Sequence, residues 1–241
     1  MQTNKLIAKL SERCQILILD SAKLEILNTS ELICRANEIT QFVWFPIDGY
    51  ISNIEVVDKN KEIEVGMIGE EGLLGAEVAI GLAKNPYTAI VQGQGRAWKI
   101  STSDILFLIK KESEIQAMIF GYLGFRFRQI GMSLGCSHYH GIQQRLAKWI
   151  LMSQDRAKSS TIAMTQKFIS VMLGVRRVSV SGVAKEYGQL GLIEYKRGSI
   201  KILDRDKLLR LTCDCYQREL ELYKCCQISH INNEGDVNDG V

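Results

Sequence analysis

Residues 164–204 read MTQKFISVMLGVRRVSVSGVAKEYGQLGLIEYKRGSIKILD, and this stretch decides the C-terminal fold. Thr165 is a natural N-cap, because its hydroxyl can accept from a backbone N–H that the first helical turn leaves unpaired. Ile169, Met172 and Leu173 then share one face of a short helix. Gly174 supplies the left-handed residue that ends it, and Val175 plugs the turn. A second helix follows, with Val180, Val183, Ala184 and Tyr187 at i, i+3, i+4 and i+7 on its inner side. Its outer side carries Arg177, Val178, Ser181, Gly182 and Lys185. Two helices crossed through a Gly turn, the second opening on arginine, predict a helix-turn-helix whose second helix enters the major groove. After Leu190-Gly191-Leu192, IEYKRGSIKIL predicts a β-hairpin around Arg197-Gly198, a wing with Lys196, Arg197 and Lys201 facing phosphates. The expected DNA-contacting residues are Thr165, Gln166, Arg176, Arg177, Val178, Ser179, Ser181, Lys185, Lys196 and Arg197.

Outward from this stretch the chain changes character. Its 241 residues suit one large or two ordinary domains, and 46% hydrophobic content is that of a globular protein. Apolar runs are too short to span a bilayer. MQTNKLIAKLSERCQILILD, residues 1–20, mixes charge into its apolar positions and lacks a signal-peptide pattern, so a cytoplasmic location without membrane partners is expected. Seven cysteines, an odd number, then read as reduced thiols rather than a disulfide framework. A net charge of +3 does not imply nucleic acid by itself; the placement of the cations does.

Residues 42–69, FVWFPIDGYISNIEVVDKNKEIEVGMIG, read as strands cut by turns at Asp48-Gly49 and Asp58-Lys59-Asn60, with alternation over Glu62 to Val65. YTAIVQGQGRAWKI, residues 87–100, reads as two more strands around Gly93-Gln94-Gly95. Many short strands with Gly-rich turns predict a roll, barrel or sandwich. From Ser103 the period becomes helical for some thirty residues, with Asp104 as a candidate cap. Ile119, Leu123, Phe127, Ile130 and Leu134 form a stripe suited to pairing with a partner helix, and packing on the chain's own β domain is the alternative. A second helix spans QQRLAKWILMSQDR, residues 143–156, and RDKLLRLTCDCYQRELELYK, residues 205–224, reads as a terminal helix. The expected domains are a β-roll sensor (1–102), a dimerisation helix and hinge (103–140), a winged helix-turn-helix (141–226) and a flexible tail (227–241).

Over residues 15 to 225 the chain resembles the Crp–Fnr superfamily of bacterial transcription regulators. The motifs that carry the likeness are VWFPIDGYISNI, EVGMIGEEGLLG, HGIQQRLAKWILMSQDR and, most specifically, the opening stretch. The resemblance implies an α+β fold: a double-stranded β-helix like that of cyclic-nucleotide-binding domains, a long dimer helix and a C-terminal winged helix-turn-helix. It further implies a homodimer on a near-palindromic operator in double-stranded DNA, with RNA polymerase as a partner. Family members commonly place Arg, then Glu, then a further Arg one turn on at the readout positions. Here these are Arg177, Val178 and Gly182, so Arg177 is expected to touch a base while the usual half-site is not. Val178 suits a thymine methyl instead.

For the sensor, the resemblance points to an effector pocket at Gly75, Glu77, Tyr87, Thr88, Phe127, Ile130 and Gly131. In nucleotide-binding relatives an Arg neutralises the cyclic phosphate where this chain has Tyr87, and burying a phosphate without a cation is costly. Cyclic AMP is therefore not the expected effector, and no cofactor is required by the sequence. Cys14 and Cys34 are a poor set for an iron–sulfur cluster. Cys136, His138 and His140, with Cys213 and Cys215 further on, are the candidates for metal or redox sensing. Their C-x-H-x-H and C-x-C spacings are not those of a zinc knuckle, and i and i+2 diverge on a helix. Buried thiols and hinge-packing histidines are thus expected, without a metal. A cupin-type barrel enzyme is a further alternative, but it needs His-x-His on a strand, and no paired catalytic set occurs at useful spacing. The chain is expected not to be an enzyme.

Overall fold

The structure is a computed structural model, and it describes residues 3–58, 61–196 and 198–225. Lys59 and Asn60 of the expected turn, Arg197 of the wing, residue 226 and the expected tail lie outside the described residues. After a 3-10 turn at Ile7–Lys9 and helix α1 (Glu12–Asp20) come strands β1 (Ala22–Leu27), β2 (Leu32–Cys34), β3 (Phe42–Asp58), β4 (Lys61–Ile68) and β5 (Thr88–Ser101). The sheet is antiparallel in the order β1-β5-β3-β4, with β2 also pairing β5.

The strands are fewer and longer than the turn signals predict. Asp48-Gly49 and Gly93-Gln94-Gly95 do not end strands; they are where β3 and β5 bend together, with register shifts from Pro46 to Ile51. Gly49 sits at φ +72°, and a Cβ there would lie 2.4 Å from the Gly93 carbonyl oxygen. A Cβ on Gly95 would lie 2.1 Å from that of Asp48. Paired bulges with glycine at the crossing let long strands fold over as a roll.

Ser101, not Asp104, caps α2 (Thr102–Lys111): its side chain accepts from Asp104 N–H, and it donates to the Asp104 carboxylate in return. The expected thirty-residue helix breaks at Glu112, and α3 then runs through Ser113–Tyr139. α4 (Ile142–Ala157) leads into a second sheet, β6-β8-β7, formed by β6 (Thr161–Ala163), β7 (Ile193–Lys196) and β8 (Ser199–Ile202). Between its strands lie α5 (Gln166–Met172) and α6 (Arg177–Gln189). The expected terminal helix is two helices, α7 (Arg205–Arg210) and α8 (Cys215–Cys225), with Cys213 between them.

One apolar core runs from Tyr50, Ile54 and Met67 in the roll through Trp149 and Ile150 of α4 to Met172, Val180 and Tyr187. A second joins α1, α2 and α3 to Val43 and Phe45. Burial over Glu62 to Val65 does not alternate as predicted, because the C-terminal unit covers this end of β4. Ile63 lies against Gly174, and Glu64 accepts a hydrogen bond from the Trp149 indole at 3.2 Å. Among the described residues, no helix is long and apolar enough to cross a membrane.

Candidate nucleic-acid interface and sensor region

The described residues between 164 and 204 fold as their pattern predicts. The Thr165 hydroxyl accepts from Phe168 N–H at 3.1 Å, and Gly174 closes α5 at φ +62°. The four inner residues of α6, Val180, Val183, Ala184 and Tyr187, are buried. Two tethers orient the helix pair: the Tyr187 hydroxyl donates to the Gln143 carbonyl at 2.6 Å, and Arg145 donates to the Leu173 carbonyl at 2.5 Å. The outer side of α6 consequently faces solvent. Arg176 and Arg177 at its start, and Lys185 two turns on, are exposed and form no ion pair or side-chain hydrogen bond among the described residues. Val178 is 73% exposed, and Ser179 half-buried.

Two expected contact residues are already engaged with each other. The Ser181 hydroxyl donates to Gln166 Oε1 at 2.6 Å, bridging α5 and α6. In the wing, Lys196 is exposed and pairs with Glu194 at 2.6 Å, a surface contact of little energetic weight.

The helical stripe is out of phase with the sequence reading. Ile119 is 1% exposed, in the chain's own core, so it is not free for a partner. Leu123 packs on the same core, and Ile130 is half-buried. Phe127 and Leu134, at 82% and 71% exposed, do face outward. The exposed line is Phe120, Gly124, Phe127, Gly131 and Leu134, stepping by 4, 3, 4 and 3. A Cβ on Gly124 or Gly131 would meet nothing within 4 Å. Periodicity defines a stripe; which stripe is outermost depends on where the roll packs.

The same phase divides the expected effector pocket. Gly75 (φ +87°) and Glu77 stand at the short turn Ala76–Ile80, and Tyr87 is half-buried beside Thr88, whose hydroxyl accepts from Ala36 N–H. Phe127 and Gly131 lie on the exposed side of α3. Ile130 instead lines a cavity of about 270 Å3 with Glu64, Arg145, Trp149 and Leu173. Arg126, which sequence reasoning missed, is a charged α3 residue directed inward. It is 5% exposed, lies over Gly66, and its charge acts on the Tyr87 hydroxyl. Arg126 donates to Gln129 Oε1, while its Nη2 is buried without a partner among the described residues.

The motifs at 64–75 and 140–156 meet at the junction of roll and C-terminal unit. Arg156 pairs with Glu71 at 2.9 Å, and Lys148 with Glu219 at 2.9 Å. Burial alone would push the Glu219 carboxyl up, but Lys148 and Arg156 hold it below the usual range. Among the described residues, Glu64 has no such neighbour at contact distance. Burial pushes its carboxyl up to about 7, against hydrogen bonds from Ser52 and Trp149.

Of the metal candidates, His138 is exposed, edge-on to Tyr139. Cys136 and His140 face the opposite way, toward Cys213 and Cys215. His138 and His140 stand at the end of a helix rather than on a strand entering the roll, which removes the one motif that favoured a cupin-type enzyme.

Comparison with known proteins agrees with this geometry. Residues 144–211 match the family model for the Crp-like helix-turn-helix domain. No curated protein sequence matches the chain. Among solved structures, a candidate Crp/Fnr-family transcriptional regulator from Eubacterium rectale superposes with a TM-score of 0.69 at 17% identity, covering 86% of this chain and 97% of its own. A CRP-family transcriptional regulator from Thermus thermophilus gives 0.65 at 17% identity, covering 77% and 95%. The c-di-GMP-responsive global regulator CLP of Xanthomonas campestris gives 0.67 at 14% identity, covering 80% and 100%. At these identities the structural likeness is one of fold, and the helix-turn-helix match adds the domain. Residues 144–211 thus form a Crp-like helix-turn-helix domain, carried on a chain whose fold is that of the Crp/Fnr structures.

Proposed function

We propose that the chain works as a homodimer that reads a near-palindromic operator, with residues 1–102 as sensor, 103–140 as dimerisation helix and hinge, and 141–226 as the DNA-binding unit. The observation that carries this reading is the solvent-facing first turn of α6, where Arg176 and Arg177 have no protein partner among the described residues and the opposite face is locked into the core. A guanidinium held there without internal partners suits guanine O6 and N7. Lys185, Lys196 and Arg197 serve the phosphates, and Thr165, Gln166, Val178, Ser179 and Ser181 complete the contact face, Ser181 by holding Gln166.

The dimer seam assigned here is Phe120, Gly124, Phe127, Gly131 and Leu134, replacing the line through Ile119. Its 4-3 spacing is that of a paired helix, and the open space over Gly124 and Gly131 accepts the partner's Phe side chains. The effector differs from cyclic AMP, since Tyr87 replaces the expected phosphate-binding Arg. Such a regulator works in the cytoplasm with RNA polymerase.

Selection of bound fragments from genomic DNA, followed by footprinting, tests the proposal. Two protected half-sites about one helical turn apart, and binding that weakens steeply with salt, are expected. Failure to retain any duplex at low salt refutes it.

A further inference from the structure

Four ligating atoms converge where the end of α3 meets the start of α8. The sulfurs of Cys136, Cys213 and Cys215 and one ring nitrogen of His140 all lie within 4.8 Å of one another. The Cys136 and Cys213 sulfurs are 3.6 Å apart, and His140 Nδ1 is 3.5 Å from the Cys215 sulfur. A tetrahedral zinc ion with bonds of about 2.3 Å to sulfur and about 2.0 Å to nitrogen sets its ligands roughly 3.5–3.8 Å apart. Two edges of the tetrahedron are therefore already formed, and small side-chain rotations close the others.

The local fold explains how these spacings serve. Cys136 lies in the last turn of α3 and His140 is its C-cap, four positions on, so the two share one face. Cys213 precedes α8 and Cys215 is its first residue, so the divergence of i and i+2 on a helix does not apply. The three sulfurs are buried and cluster apart from the main cores.

We propose that Cys136, His140, Cys213 and Cys215 hold a single zinc ion that clamps the last turn of α3 to the start of α8. Thiolates with an imidazole are the donor set such an ion prefers, and four protein ligands leave no open position, which makes the site a holding site rather than a catalytic one. Three thiolates around a divalent ion leave a net negative charge. The Lys148 ammonium, whose charge acts on Cys136 and Cys215, offsets it in part while also pairing with Glu219. The 270 Å3 cavity lined by Cys136, Ser137 and Lys148 provides an approach for the ion. The assignment does not rest on the DNA-binding reading, because it concerns ion content alone.

The test uses the full chain, without a histidine tag, purified under reducing conditions from zinc-containing medium and analysed for metals. About one zinc per chain is expected, with most of it lost in Cys215→Ser and in His140→Ala, and all of it kept in Cys34→Ser. Because those variants could misfold, metal-free wild-type protein is also titrated with cobalt(II), which should develop the visible bands of a tetrahedral thiolate site. Wild-type protein that takes up neither zinc nor cobalt overturns the proposal. So does iron in zinc's place, zinc retained by both ligand variants, or a Cys136–Cys213 disulfide persisting under reduction.

Discussion

Replacing Arg177 by alanine separates DNA readout from folding. The side chain is exposed at the first position of α6 and bonds to nothing among the described residues, so its truncation should change stability by no more than about 0.5 kcal/mol. On DNA, a bidentate contact to guanine contributes ~1–3 kcal/mol per half-site. Two heads of a dimer would lose about 2–6 kcal/mol, a drop of roughly 30-fold to 20,000-fold in affinity. Fluorescence anisotropy on the selected operator, alongside thermal unfolding, measures both quantities. Lys185→Ala supplies the contrast: it should weaken all sequences alike and reduce the salt slope by about one unit for each phosphate no longer neutralised. If Arg177→Ala folds normally yet keeps operator affinity and sequence preference within twofold, the assignment of α6 as the reading helix is wrong.

Three further outcomes follow from the same geometry. Phe127→Glu should yield a folded monomer in sedimentation at micromolar concentration, since the side chain is 82% exposed in the single chain; a persistent dimer would move the seam elsewhere. Gly174→Ala should cost about 1–2 kcal/mol in urea unfolding, because φ is +62° and the new Cβ would stand 3.1 Å from Ile63 Cδ1; an unchanged midpoint would contradict this. Glu64 titrates near 7 when folded, above its ordinary 4.5, so its neutral form favours the fold. That contribution is whole below about pH 4.5 and is lost as pH rises through 7, on the order of 3 kcal/mol. Glu64→Gln should flatten stability between pH 5 and 8, and equal pH dependence in both proteins would refute the assignment.

Local pattern carried the C-terminal unit. The Thr165 cap, the Gly174 turn and the buried face of Val180, Val183, Ala184 and Tyr187 are short-range features, fixed by residues within a few positions of one another. Long-range pairing was less legible. Gly49, Gly93 and Gly95 read as turns because turns and paired bulges select glycine alike, and only the partner strand distinguishes them. Arg126 gave no signal, since a charged residue on a helix reads as a solvated one until the neighbouring strand is known.

By itself the sequence determined the helix-turn-helix, the wing and the family resemblance, because caps, turns and helical faces depend on neighbours along the chain. Tertiary structure alone decided which stripe of α3 faces outward, because the roll buries Ile119 and leaves Phe120, Phe127 and Leu134 uncovered. It also decided that Cys136 and His140 meet Cys213 and Cys215, residues some seventy-five positions away. Spacing along the chain cannot report such a convergence, since it arises only when α8 packs back against the end of α3.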